Sequence, residues 1–421
     1  MRIIILTIGS RGDIQPFIAL GKALQGRGHA VRLVTGGMYE GFVRGHGLDF
    51  AAINDEAIRI GETPEGRAAI EAGGGKMALL KKVLPMLRRM MDDAWAGAND
   101  AEAIIYHPKA LAGYHIAEKL RIPSFMSLPL PLYTPTSAFP TPIMNIRLGG
   151  AVNRLTYTLL RFATAPYAGT VNAWRKDALH LPPRGKFAND LVLPDGQPVP
   201  TLYSYSPHVV PTPPDWPETA VTTGYWFLDD TPGWTPPAAL QAFLDAGAPP
   251  VYVGFGSMTG VDPEGKARMV VEALRQAGQR GLIASGWGGL RAGDLPESIF
   301  MIESAPHEWL FPRCAAVVHH GGAGTTAAGL RAGRPTVVVP FFGDQGFWGE
   351  RVCQLGVGPQ PIPQKRLTAN GLAAAIRAAV NTPDMARRAG ELGDQIRAED
   401  GVGTALRFIE ARLGVPAQAA V

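Results

Sequence analysis

Cysteine is nearly absent. The 421 residues hold two, Cys314 and Cys353, too few for a disulfide framework or a zinc ribbon. Long apolar runs are missing as well. No stretch approaches the roughly 18 residues of a membrane span, and the start is apolar only from Ile3 to Ile8 before it meets Gly9-Ser10-Arg11-Gly12-Asp13. A secretory leader needs a longer apolar stretch and a small-residue cleavage site, so the expectation is a cytoplasmic protein. No charge sign dominates. Lys and Arg number 40 against 36 Asp and Glu, with no long basic run, which argues against a dedicated nucleic-acid binder. An Asp-x-Asp metal motif is also lacking. What is there is globular: 46% hydrophobic and 18% charged residues, in a chain long enough for two or three domains at roughly 150 residues each.

Strand and helix signals alternate along the chain. Residues 2–8 read as a buried parallel strand that runs into a Gly-Ser turn. Helix periodicity follows over 14–27, with Gly28 as the stop, and a second strand over 30–35 completes a βαβ unit. Short apolar runs recur at 103–106 and 122–128. Residues 206–217 hold five prolines, the best linker candidate. Beyond them a second alternation starts, with strands expected at 250–257, 280–284, 315–320 and 334–342. The chain therefore reads as two doubly wound α/β domains: 1–214, then 215–400, with 401–421 a terminal helix that returns to the first domain. Segment 76–91 places Met77, Leu80, Leu84, Leu87 and Met91 on one helical stripe with Lys81, Lys82, Arg88 and Arg89 around it. It is either a helix packed on the first domain or an interfacial helix, with Pro85 interrupting both.

Two turns carry chemistry. The segment His319-His320-Gly321-Gly322-Ala323-Gly324-Thr325-Thr326 follows a strand and opens a helix. Such a turn is an anion site: backbone N–H groups point outward, the helix dipole favours negative charge, and glycines let a phosphate approach. His320, Thr325 and Thr326 add donors. A dinucleotide fingerprint is a poor match, because it belongs in the first βαβ unit and the paired histidines are foreign to it. Asp13 closes the first Gly-rich loop at the carboxyl end of the first strand, where open α/β sheets place functional groups. The residues alone leave it as either a helix N-cap or a general base.

Five motifs taken together identify a family. They are Gly9-Ser10-Arg11-Gly12-Asp13-Ile14-Gln15-Pro16, Gly254-Phe255-Gly256-Ser257-Met258, Ala305-Pro306-His307-Glu308-Trp309-Leu310-Phe311, the His319–Thr326 segment, and Pro340-Phe341-Phe342-Gly343-Asp344-Gln345. In this order the chain resembles the inverting nucleotide-sugar-dependent glycosyltransferases of the GT-B fold, the large family with plant, antibiotic and sterol enzymes, and it is most similar to the sterol glucosyltransferase branch. The resemblance implies two Rossmann-like domains facing each other across a cleft. It implies UDP-glucose as donor, no metal, and an apolar acceptor, a sterol or sterol-like lipid; a macrolide, polyketide or aromatic aglycone is the alternative, and a silent sugar-nucleotide binder a third.

The resemblance also assigns residues. Asp13 stands where plant relatives have their catalytic His, so it becomes the base. Ala305 and His307 meet the nucleotide. His320, Ala323, Gly324 and Thr325 hold the diphosphate, helped by Ser257 and, from the first domain, by Ser10 and Arg11. Asp344 and Gln345 bind the sugar hydroxyls, and Gln at that position goes with glucose in the plant branch. Two positions depart from the plant pattern. Ala328 replaces a ribose-binding Glu, leaving UDP over dTDP to rest on the sterol likeness. The 105–108 segment offers His107 and no carboxylate; His107 is either an acceptor contact or a structural residue. A lipid acceptor makes 76–91 a candidate peripheral membrane contact.

Overall fold

The computed structural model describes residues 1–56, 76–144, 149–229, 234–256, 263–284 and 295–415. The strands are short, and the central ones are runs of Ile, Val and Leu apolar on both faces, as a sheet covered on both sides requires. They form β1 (Arg2–Leu6), β2 (Ala30–Gly36), β3 (Asp49–Ile53), β4 (Ala103–Tyr106), β5 (Ser124–Leu128), β6 (Thr201–Tyr203) and β7 (Ala220–Thr222), in a parallel sheet of order β3-β2-β1-β4-β5-β6-β7. A second parallel sheet, β10-β9-β8-β11-β12, is built from β8 (Val251–Gly254), β9 (Gly281–Ala284), β10 (Ile299–Ile302), β11 (Ala316–His319) and β12 (Thr336–Val338).

The chain divides into two compact units. The first holds Met1–Pro207, Pro211–Leu228 and Asp400–Val421, and the second His208–Val210 and Asp229–Glu399. The proline-rich stretch is therefore not the linker. It joins β6 to β7, both strands of the first unit, with only His208–Val210 grouped with the second, so that 215–228, expected in the second domain, belong to the first. Proline has no N–H for a ladder, but a fixed connection suits it. Asp215 pins this one, accepting from Thr136 Oγ1 at 2.6 Å and Ser137 N at 2.9 Å.

In the first unit Ile3, Ile5, Leu33, Ile105 and Phe125 meet the apolar face of helix Arg11–Gly26. Helix Gly401–Leu413 adds Ala405 and Ile409 to the same core. Burying each such side chain contributes about 1.5–3 kcal/mol. The Arg27 guanidinium grips Glu410 at 2.9 and 3.0 Å, which ties the terminal helix to the first one. Gly401 lies against backbone: a Cβ there would stand 2.3 Å from the Tyr225 carbonyl oxygen. In the second unit Val251, Val253, Phe255, Val318 and Val337 pack against Leu274, Leu372 and Ile376.

Both strand orders reverse direction at one point, between β1 and β4 in the first sheet and between β8 and β11 in the second. Crevices for ligands open at the carboxyl ends of strands at such points.

Candidate active site

At the β1/β4 reversal stands Asp13, in the first turn of helix Arg11–Gly26. Its N–H donates to the Ser10 carbonyl at 2.8 Å. Its Oδ2 accepts from Ser10 N at 2.8 Å and Ser10 Oγ at 3.0 Å. This is a reciprocal capping arrangement. Oδ1 accepts from Lys109 Nζ at 2.6 Å. Capping and base are thus compatible roles: a carboxylate has about four acceptor positions, and three are occupied here. Gly9 makes room for the carboxylate. It sits at φ +142°, and a Cβ on it would lie 2.3 Å from Asp13 Oδ2. Burial raises the Asp13 pKa, but the charge and hydrogen bond of Lys109 and the Ser10 bond outweigh it and hold the group below its ordinary value. Asp13 is an anion at neutral pH, and its side chain keeps 17% of its surface open to a reactant.

His107 ends β4. Its ring is buried, and Nδ1 accepts from the Lys109 backbone N–H at 3.1 Å. Burial, aided by the Lys109 charge, pushes it down to about 3. It is a neutral imidazole with its proton on Nε2, and it shapes the turn that presents Lys109. Ser10 spends its hydroxyl hydrogen on Asp13, and the Arg11 guanidinium lies 4.7 Å over the Phe42 ring.

Lys109 escaped the sequence reading. Its only signal is its place just past β4, the strand beside β1. Lys109→Met leaves burial as the dominant influence on Asp13, so its pKa rises. With Asp13 as the base expected from the sequence, activity is lost as pH falls through its pKa, so the acid limb of the rate profile is expected to move to higher pH. Lys109→Arg restores it. The measurement is kcat/KM for transfer against pH; an unmoved limb in Lys109→Met means that Asp13 does not report on Lys109.

At the β8/β11 reversal His319 pairs with Gly254 in register. His319 is buried, its Nδ1 accepts from Gly321 N at 2.8 Å, and its Nε2 is buried without a partner. Gly321 (φ +90°) has Val338 Cγ1 2.6 Å from where a Cβ would stand, and Gly322 has His320 Nε2 at 2.5 Å. Close packing thus requires the glycines of this turn. Gly322 caps helix Ala323–Arg331, whose first turn holds no acidic residue. The N–H groups of Ala323, Gly324 and Thr325 lack intrahelical acceptors by geometry, and the positive end of the dipole is uncompensated. Thr326 does not contribute a donor, because its hydroxyl already serves the Gly322 carbonyl at 2.9 Å. His320 is half-buried with Nδ1 unpartnered, and burial lowers it to about 4. It is a neutral donor and not a standing cation.

Asp344 precedes helix Gln345–Gln354, and Trp348 Nε1 donates to its Oδ2 at 3.0 Å. Gln345 is buried. Its Oε1 accepts from Phe341 N at 2.7 Å and Phe342 N at 3.2 Å, which holds the turn closed. A Cβ on Gly321 would also lie 2.9 Å from the Gln345 carbonyl oxygen, so this turn abuts the His319–Thr326 turn. Ala305 is half-buried, and His307 stacks on Phe311 with centroids 4.2 Å apart. Ser257 lies outside the described residues.

Segment 76–91 lies in one helix, Lys76–Ala98, which continues through Pro85. Leu87, Met90, Met91, Ala94 and Ala98 form its buried stripe. Arg88 pairs with Asp92 and Asp177, and Arg89 with Glu56. Lys81 and Lys82 are exposed; the side chains of Met77 and Leu80 lie outside the described residues. From Leu87 onward the apolar face is core. Among the described residues no helix is long and apolar enough to cross a membrane.

Residues 3–139 match the family model "Glycosyltransferase family 28 N-terminal domain", and 288–401 match "Erythromycin biosynthesis protein CIII-like, C-terminal domain". A sterol 3-beta-glucosyltransferase of Neosartorya fischeri is 42% identical over 97% of this chain and 29% of its own length. One from Arabidopsis thaliana is 38% identical over 96% of this chain and 67% of its own. The chain thus spans about 30% of the length of the fungal relatives it matches. Among solved structures, the glycotransferase of kitacinnamycin superposes with a TM-score of 0.72 at 20% identity, over 99% of both chains, so the fold is GT-B.

Proposed function

The chain belongs to the glycosyltransferase family of the sterol 3-beta-glucosyltransferases, and from that premise we propose that it moves glucose from UDP-glucose to the hydroxyl of a sterol or sterol-like lipid, with inversion. The observation that carries this reading is likeness to curated sterol glucosyltransferases along 97% of the chain.

The residues fit the chemistry. Asp13, held ionised, accepts the proton of the acceptor hydroxyl as that oxygen attacks the anomeric carbon. The bond from that carbon to the diphosphate oxygen breaks with its electron pair, and UDP leaves. The charge that develops on the leaving oxygen meets preorganised donors: the N–H groups of Ala323, Gly324 and Thr325, and His320. No step needs a metal. Asp344 and the Gln345 amide bind glucose hydroxyls; Ala305 and His307 border the base of the nucleotide. Ser10 and Arg11 reach the diphosphate only if they exchange their present partners, Asp13 and Phe42, for it. His107 supports the turn of Lys109 and is not assigned to the acceptor. A lipid acceptor also implies an enzyme that meets a membrane at its surface.

The test is transfer itself. Incubated with UDP-glucose and a panel of sterols, the protein is expected to yield sterol carrying one added hexose by mass spectrometry, and little with dTDP-glucose. Hydrolysis of UDP-glucose without any glucosylated sterol rejects the acceptor; transfer from dTDP-glucose alone rejects the donor.

A further inference from the structure

One helical stretch of the first unit is built inside out. Residues 150–164 run as helix Gly150–Thr156, a 3₁₀ turn Tyr157–Leu159 and helix Leu160–Thr164. The buried side carries polar groups. Asn153 Nδ2 donates to the Ser137 carbonyl at 2.9 Å, and Thr156 Oγ1 accepts from Thr141 N at 2.8 Å. The outer side carries Val152, Leu155, Leu159 and Phe162, spaced three, four and three residues apart and each 49–62% exposed. Phe187 joins them: its ring is 5.1 Å from that of Phe162 and 49% exposed. Scattered exposed apolar residues are ordinary; a continuous stripe on the outside of a helix whose buried side is polar marks an interaction surface.

Charge indicates what it meets. From Ser137 to Ala188 the sequence has seven Arg and Lys and one acidic residue, Asp177. That Asp is paired with Arg88. Arg175 and Arg184 are engaged with Glu118. Lys176 and Lys186 are exposed, and Arg154, 3.5 Å from Asp215, remains 55% exposed. An apolar stripe that holds Arg154 in its own helix and has Lys186 Nζ 5.8 Å over the Phe187 ring matches the boundary of an anionic bilayer, where apolar side chains enter the headgroup region and cations meet phosphate. We propose that Val152, Leu155, Leu159, Phe162 and Phe187 form the surface by which this protein docks on an anionic phospholipid membrane. The choice of a lipid partner rests on the proposed acceptor class; the surface itself does not. It takes over the contact first expected at 76–91, whose apolar stripe is core from Leu87 onward.

The experiment is co-sedimentation of the full chain with phosphatidylcholine vesicles, with and without phosphatidylserine, at low and high salt. Wild type is expected to pellet with the phosphatidylserine vesicles at low salt. Leu155→Gln/Leu159→Gln/Phe162→Gln should lower partitioning by at least about tenfold with unchanged melting. Lys176→Gln/Lys186→Gln should weaken binding and reduce its salt dependence. Wild type left in the supernatant, or a triple variant that binds as well as wild type, overturns the proposal. So does a wild-type dimer that the triple variant dissolves, which makes the face a protein interface. Loss of transfer to a detergent-solubilised sterol in the triple variant also overturns it, by placing the stripe along the acceptor's path. Vesicle binding without any transferase activity leaves the surface standing and refutes the function instead.

Discussion

Asp13→Asn is expected to lower transfer by about 10²-fold or more, the usual scale for a general base, while UDP affinity stays near wild type. The substitution is close to isosteric. An Asn oxygen still accepts from Ser10 N–H, so the cap survives, and only basicity and the pairing with Lys109 are lost. That pairing is part-exposed, with Lys109 55% open to solvent, so its loss costs little stability. Donor affinity is spared because Asp13 acts on the acceptor hydroxyl and is not among the groups assigned to the nucleotide or the diphosphate. Single-turnover transfer and calorimetric UDP titration on the same preparation separate the outcomes. Full activity in Asp13→Asn reduces Asp13 to a capping residue and ends its assignment as base.

His320→Ala is expected to reduce both UDP affinity and transfer, transfer by on the order of 10²-fold, the scale seen when one preorganised donor at a developing oxyanion is removed. The ring stands beside the start of helix Ala323–Arg331, with a buried unpartnered Nδ1 and a pKa lowered to about 4. A neutral donor keeps its orientation without a permanent counter-ion and strengthens when negative charge arrives. The backbone N–H groups remain in the variant, so binding weakens and does not vanish. Unchanged UDP affinity by calorimetry would falsify the placement of the diphosphate at this turn. The Lys109 profile then becomes the more informative measurement, because it reads the first unit alone.

Much of this protein is legible along the chain because its strands are short, apolar and parallel. β1, β2, β4, β5, β8, β9 and β11 coincide with runs that only a doubly covered sheet can bury, and the glycines after β1 and β11 announce sharp turns into helices. The five motifs rest on the same local chemistry, which is why the fold class and the family followed from sequence. Other elements left no such mark. β6 and β7 are three residues each, too short for periodicity, and β3 carries Asp49 and two alanines. The division of the chain after Leu228 was hidden because prolines signal a stiff connection without saying what it connects.

Tertiary structure alone decided the partners. Sequence placed Asp13 at a strand end and allowed it to be cap or base; only the pairing of β1 with β4 brings Lys109, 96 residues away, within 2.6 Å of it. Helical spacing at 76–91 and at 150–164 looks alike on paper. Which stripe is core and which faces outward depends on what each helix meets, Met90 and Met91 being buried while Leu155 and Phe162 are exposed. Local pattern dictates that an apolar face exists, and the packing of distant segments dictates whether anything covers it.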